Sequence, residues 1–140
     1  MGDSEGLLII RSTSFSTFLT AVDRVSMALP EIQKAKATKT LEKFCHDRVP
    51  PHVRSQLQLE FEISGNYITL LEVRPVWNDP SRHTRSGVVK FRWITKNMKW
   101  SLYWRDRNLK WHFYEEIEPT PDFDLLVKEV DRDPTGIFWG

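Results

Sequence analysis

Cysteine is almost missing from this chain. Cys45 stands alone among 140 residues, so no internal disulfide can form and a stapled secreted scaffold is excluded. The expected setting is reducing and cytoplasmic. Long apolar runs are missing too. Nothing approaches the roughly 18 residues that a membrane helix needs. The run Leu7 to Ile10 follows Asp3 and Glu5 and is too short and wrongly flanked for a signal peptide. No membrane association is expected. Only six glycines are present, with no Gly-rich phosphate loop, no paired-histidine metal motif and no nucleophile elbow. His46, His52, His83 and His112 fall in different predicted segments, so no zinc spacing is formed. Cys45 and His46 are neighbours on a predicted helix, where adjacent side chains diverge by roughly 100° and cannot act as nucleophile and base. No cofactor and no metal are expected.

What is present is a globular composition. Apolar residues make up 40% and charged residues 28%, which supports neither a disordered nor a membrane protein. A chain this long forms about one domain and buries roughly two-thirds of its unfolded surface. Six Trp, eight Phe and three Tyr supply large packing area for one core. The net charge of +1 conceals a segregation: residues 81–111 carry nine basic side chains against Asp106 alone, a local +8. Residues 112–140 carry eight acidic side chains against Lys128 and Arg132, a local −6. Either the two segments neutralise each other in the fold, or a basic patch faces a partner.

The apolar pattern places the elements. Residues 1–26 are Ser/Thr-rich, and Phe15, Phe18, Leu19 and Val22 fit one short helix in an N-terminal extension. Met27-Ala28-Leu29-Pro30-Glu31 reads as a helix start and equally as a translation start, so the domain proper is taken as 27–140. A helix over Glu31 to about Asp47 would bury Ile32, Ala35, Leu41, Phe44 and Cys45, and Pro50-Pro51 ends it. Two strands follow, around Leu59 to Ile63 and Tyr67 to Val73, joined by Ser64-Gly65-Asn66. Pro75, Pro80, Gly87 and their polar neighbours read as a long loop over 75–87. Val88 to Ile94 and the run from Trp100 to Arg105 are strands three and four. Asp106-Arg107-Asn108 reads as a tight turn in which Asp can cap and Asn can adopt positive φ, leading into a fifth strand from Leu109 to Tyr114. Thr120-Pro121-Asp122 opens a helix with Phe123, Leu126, Val127 and Val130 on one stripe, and Ile137-Phe138-Trp139 docks on the core. The fold class is therefore α+β: a five-stranded, mostly antiparallel meander with an N-terminal and a C-terminal helix packed on it.

Period-two alternation groups Lys90, Arg92, Ser101, Tyr103, Arg105, Lys110, His112 and Tyr114 on one face, opposite Leu109, Trp111 and Phe113. Cations interleaved with flat rings suit single-stranded nucleic acid, because phosphates need charge and unstacked bases lie on rings. A small anion on Arg92 and Arg105 fits the same pattern. So does a solvated face paired across strands with Glu60 or Glu62. A metal site from Glu60, Glu62 and Glu72 is a weaker alternative, and Cys45 reads as a core residue. A protein partner could use the N-terminal extension or the acidic C-terminal helix.

The run W-S-L-Y-W-R-D-R-N-L-K-W-H-F-Y (Trp100 to Tyr114) and the ending D-P-T-G-I-F-W-G resemble the bacterial, mainly actinobacterial, domain of unknown function 3024. The resemblance extends through R-V-P-P-H-V-R (Arg48 to Arg54), E-V-R-P-V-W (Glu72 to Trp77) and F-R-W-I-T (Phe91 to Thr95), and spans about Met27 to Gly140. Phe113 departs from it, standing where the pattern leads one to expect a basic residue, and residues 1–26 have no counterpart. The resemblance carries no activity. It marks recurring positions, of which Glu72, Arg74, Arg92, Tyr103, Arg105, His112 and Tyr114 have no evident structural duty. The leading expectation is a non-enzymatic binding module using Arg74, Lys90, Arg92, Tyr103, Arg105, Lys110, His112 and Tyr114. The alternative is a small hydrolase-like enzyme, metal-assisted or not, using Glu72, Arg92, Tyr103 and His112 for acid–base work.

Overall fold

The computed structural model describes residues 28–139, so the expected extension and its short helix lie outside the described residues. Helix α1 runs Glu31–Arg48 and ends where Val49, ahead of Pro50-Pro51, takes extended backbone. Its last carbonyls are not left to water. Arg54 reaches back from the short 3-10 turn Pro51–Val53 and donates to the carbonyl oxygens of Val49 and His46, each at 3.1 Å. The strands are β1 Gln58–Ser64, β2 Tyr67–Val76, β3 Asp79–Ile94, β4 Lys99–Arg105 and β5 Trp111–Phe113. Each pairs antiparallel with the next in the order β1-β2-β3-β4-β5, a meander. Helix α2, Phe123–Arg132, starts on Asp122, whose carboxylate accepts from the Asp124 N–H at 3.1 Å.

Both helices pack on the same side of the sheet. Register places Ile63 beside Ile68, Ile68 beside Phe91, and Phe91 beside Leu102, and alternation adds Leu70, Val89, Trp93 and Trp100 to that covered face. Ala37 and Leu41 of α1 and Phe123, Leu126, Val127 and Val130 of α2 close it. Phe123 sits with its ring centroid 4.7 Å from Phe91 and 4.8 Å from Trp100, and Trp93 meets Trp100 edge to face at 5.3 Å. Burying an aromatic such as Phe123 contributes about 1.5–3 kcal/mol, so this cluster fixes where α2 lies. Arg48 then clamps the helices: its guanidinium pairs with Asp131 at 2.6 Å and lies 4.3 Å from the Trp139 ring centroid. The C-terminal tail docks as expected, with Phe138 buried against Tyr114 at 4.9 Å.

Four expectations need correction. Residues 75–87 are not a loop: β3 begins at Asp79 and pairs with β2 almost to the hairpin tip. The apolar stripe of α1 is rotated, with Ala37 and Leu41 buried while Ala35 is exposed and Ile32 is 64% exposed. The positive φ in the β4–β5 turn belongs to Leu109 (66°), not Asn108. The last correction follows from that turn. Asp106 and Lys110 flank a three-residue loop, so Tyr103 pairs with Phe113 and Arg105 with Trp111. The expected grouping required an even-length loop; a one-residue change flips every side chain of β5 to the other face. Trp111 and Phe113 therefore share the open face with Tyr103, and Lys110, His112 and Tyr114 do not.

Candidate nucleic-acid interface

Among the described residues the helices occupy one side of the sheet only, and on the other side just the turn at 54–57 reaches over the β1 end. Across that other side run Tyr67 from β2, Lys90 and Arg92 from β3, Tyr103 and Arg105 from β4, and Trp111 and Phe113 from β5. A bulge positions them. Leu70 pairs with Val89 but Leu71 pairs with Gly87, leaving Val88 as the extra residue, and such a bulge re-aims the strand. Gly87 thereby comes under the Trp111 ring, where a Cβ would lie 3.0 Å from Trp111 Cζ2. Glycine is what lets that ring approach the backbone so closely.

The rings and cations are in contact. Lys90 Nζ lies 4.6 Å from the Tyr67 ring centroid and 4.8 Å from that of Trp111, a cation held between two π faces. Burial pulls its pKa below the ordinary lysine value, partly offset by Tyr103. Arg92 is held charged, its pKa raised chiefly by a hydrogen bond with the Tyr103 side chain. Arg105 lies 5.7 Å from the Trp111 centroid and donates to Ser86 Oγ at 2.8 Å. Tyr103 and Phe113 meet edge to face at 5.8 Å. None of the open-face positions of β2, β4 or β5, nor those of β3 from Arg85 to Ile94, is acidic. The carboxylates of this side sit on β1, where Arg85 binds Glu60 at 2.7 Å and lies 3.9 Å from Glu62. Beyond them a cavity of about 500 Å3 opens between the sheet and the turn at 54–57, lined by Arg54, Glu60, Val73, Pro75, His83 and Arg85 among others.

The other expected site residues are elsewhere. His112 donates from Nε2 to the Asp106 carboxylate at 2.6 Å and stacks on Trp104 at 4.6 Å, on the helix side of the sheet. Asp106 is thereby held below the usual carboxylate range, by His112 first and then by the Lys110 and Asn108 N–H groups. Tyr114 is buried and donates to Glu129 at 2.7 Å. Glu72 lies on the covered-face side, 3.5 Å from the exposed Arg74, and Lys110 is exposed at the hairpin end. The sheet thus separates Arg92 and Tyr103 from Glu72 and His112, so the four do not form one catalytic cluster. Glu72 is likewise on the opposite side from Glu60 and Glu62, and the described residues hold no group of three metal-ligating side chains. Cys45 is partly buried, its thiol pushed up to about 12 by burial and then by Glu60, as suits a packing residue. Tyr67, Trp111 and Phe113 were not among the expected site residues. Tyr67 was legible, since it alternates with the buried Ile68; the other two hung on the length of one turn.

An antiparallel sheet with two helices on one face, and rings alternating with cations on the other, defines an α+β open-faced sheet domain. The chain belongs to the family described as Domain of unknown function (DUF3024), which matches residues 29–140. No curated protein and no solved structure matches the chain. Among the described residues no helix is long and apolar enough to cross a membrane.

Proposed function

We propose that this protein is a non-enzymatic binding module whose open sheet face holds single-stranded nucleic acid. The observation that carries the reading is a sheet face that no described helix covers: Tyr67, Tyr103, Trp111 and Phe113 interleave with Lys90, Arg92 and Arg105, with no carboxylate among them. Bases of any identity stack on such rings, each worth about 1–3 kcal/mol, while cations track the backbone. The cavity suits a small molecule less well, because the Arg54 guanidinium is committed to helix carbonyls and Arg85 to Glu60. A cytoplasmic setting accords with the reading, the one cysteine being an inert packing residue.

Fluorescence anisotropy with labelled 12-nucleotide DNA and RNA strands tests it. Binding is expected at 50 mM salt, with log K falling against log salt at a slope of about −2, the value for three cations on a single strand. Trp111→Ala is expected to weaken binding about tenfold, within the range of one lost stack. Absence of binding to either strand at 50 mM salt overturns the proposal, as does binding indifferent to both Trp111→Ala and Arg92→Ala.

A further inference from the structure

Strands β2 and β3 outrun their neighbours. Pairing with β1 ends at Gln58 and Val73, and pairing with β4 ends at Val89 and Trp104. Beyond Val73, residues 74–84 pair only with one another, so they form a two-stranded ribbon projecting from the sheet. Its tip carries Trp77, 90% exposed, the most exposed large apolar side chain among the described residues. A lone exposed apolar residue needs no explanation. Here its surroundings supply one. At the ribbon's root Arg74 pairs with Glu72 and Arg85 with Glu60, while the ribbon's own carboxylate, Asp79, already accepts from the Ser81 hydroxyl at 2.6 Å. Arg82 is exposed and in no ion pair with another described residue. A flat ring on a basic ribbon repeats the chemistry of the open face, on the same two strands.

We infer that the ribbon is the second half of the interface, with Trp77 stacking on a base of the same nucleic-acid strand. This rests on the reading of the open face above. Leu71 sits opposite Gly87, under Trp111. Trp77 lies six residues further along the chain, in the turn just past the end of β2, about 20 Å away at roughly 3.3 Å per residue. At about 3.4 Å per stacked nucleotide, roughly six nucleotides separate the two rings. Between them the strand passes His83 at the rim of the cavity. A short oligomer occupies the face alone, and a longer one reaches both rings.

The test uses the full chain with a thymidine tetramer and a thymidine dodecamer at 50 mM salt. Trp77→Ala is expected to weaken dodecamer binding about tenfold and leave the tetramer unchanged, while Trp77→Phe restores most of the loss. Arg82→Ala is expected to reduce the dodecamer's salt slope by about 0.7, one phosphate contact. If Trp77→Ala binds the dodecamer like wild type while Trp111→Ala weakens both oligomers, the ribbon proposal falls and the open-face reading stands. If wild type binds neither oligomer, both fall. A loss that is equal for tetramer and dodecamer also overturns the ribbon proposal, as does Trp77-dependent binding to anionic lipid vesicles without any to the dodecamer.

Discussion

Tyr114 follows Phe113 at the end of β5, and one step along a strand turns a side chain from the open face into the core. Its ring is 2% exposed, and its hydroxyl donates to Glu129 Oε2 at 2.7 Å across to α2. Burial first, then Glu129, pushes the phenol up to about 12 from its ordinary 10. The neutral phenol is what folding favours. Its contribution is therefore complete below pH 10 and is lost as pH rises through the folded value near 12. Cys45 is raised in the same direction and adds to the alkaline loss, so only comparison with a variant isolates the tyrosine. Tyr114→Phe is expected to lower stability by about 1.5–3 kcal/mol at neutral pH, the worth of one hydrogen bond to a charged acceptor. It is also expected to flatten the fall in thermal midpoint between pH 10 and 12. Unfolding curves across that range check both, and an unchanged alkaline slope refutes the assignment. Tyr114 was expected on the binding face because alternation was carried across the hairpin with the wrong parity. Within single strands the same alternation was legible: Val89, Phe91 and Trp93, and Trp100 and Leu102, are buried as their spacing implies.

The β4–β5 hairpin shows where that legibility stops. Asp106 organises it through local chemistry, its Oδ1 accepting from Asn108 N–H at 2.8 Å and from Lys110 N–H at 3.0 Å. The carboxylate marks the turn, but loop length depends on which residue takes the left-handed backbone. Here it is Leu109, a residue with no preference for it, so the sequence carried no sign of the three-residue loop. Leu109 is 64% exposed and has little packing to lose. Leu109→Gly is therefore expected to stabilise the protein by about 1 kcal/mol by relieving a positive φ. Denaturant unfolding measures this, and a loss of stability of similar size counts against the turn as described. The β2–β3 ribbon was illegible for a different reason: both its faces meet water, so no apolar alternation marks residues 79–86 as strand. Helix α2 was legible throughout because its cap, Asp122, and its buried stripe report the same boundaries. Helix α1 was placed correctly in sequence but not in rotation, since many of its residues are amphipathic or small and Ala37 rather than Ala35 meets the core.

Across the whole molecule the opposing charges of residues 81–111 and 112–140 do not cancel locally. Among the described residues no Lys or Arg of the first segment pairs with an Asp or Glu of the second; the one contact of this kind between them, His112 with Asp106, sets a carboxylate of the basic segment against a ring of the acidic one. Asp131 is committed to Arg48, Asp124 accepts from Thr40 and Glu129 from Tyr114, all on the helix side of the sheet. Lys90, Arg92 and Arg105 lie on the other side, bound to rings and hydroxyls. The sheet therefore separates the cations Lys90, Arg92 and Arg105 from the acidic C-terminal helix, and the chain's isoelectric point near 7.9 describes the sum of all its charges rather than either group. At pH 8 and low salt the protein is close to neutral, yet it is expected to be retained on both a cation exchanger and an anion exchanger. A Lys90→Ala, Arg92→Ala, Arg105→Ala triple variant is expected to elute earlier from the cation exchanger. The same variant should hold more tightly to the anion exchanger, having lost three positive charges, and its thermal midpoint should stay near that of wild type because Arg92 is exposed and the other two are only partly buried. Flow-through of the wild-type protein on the cation exchanger at pH 8 means that the basic face is neutralised in solution. An unshifted elution of the triple variant there places the retaining charge elsewhere, on the β2–β3 ribbon or on α1, and tells against the open face as the main cationic surface.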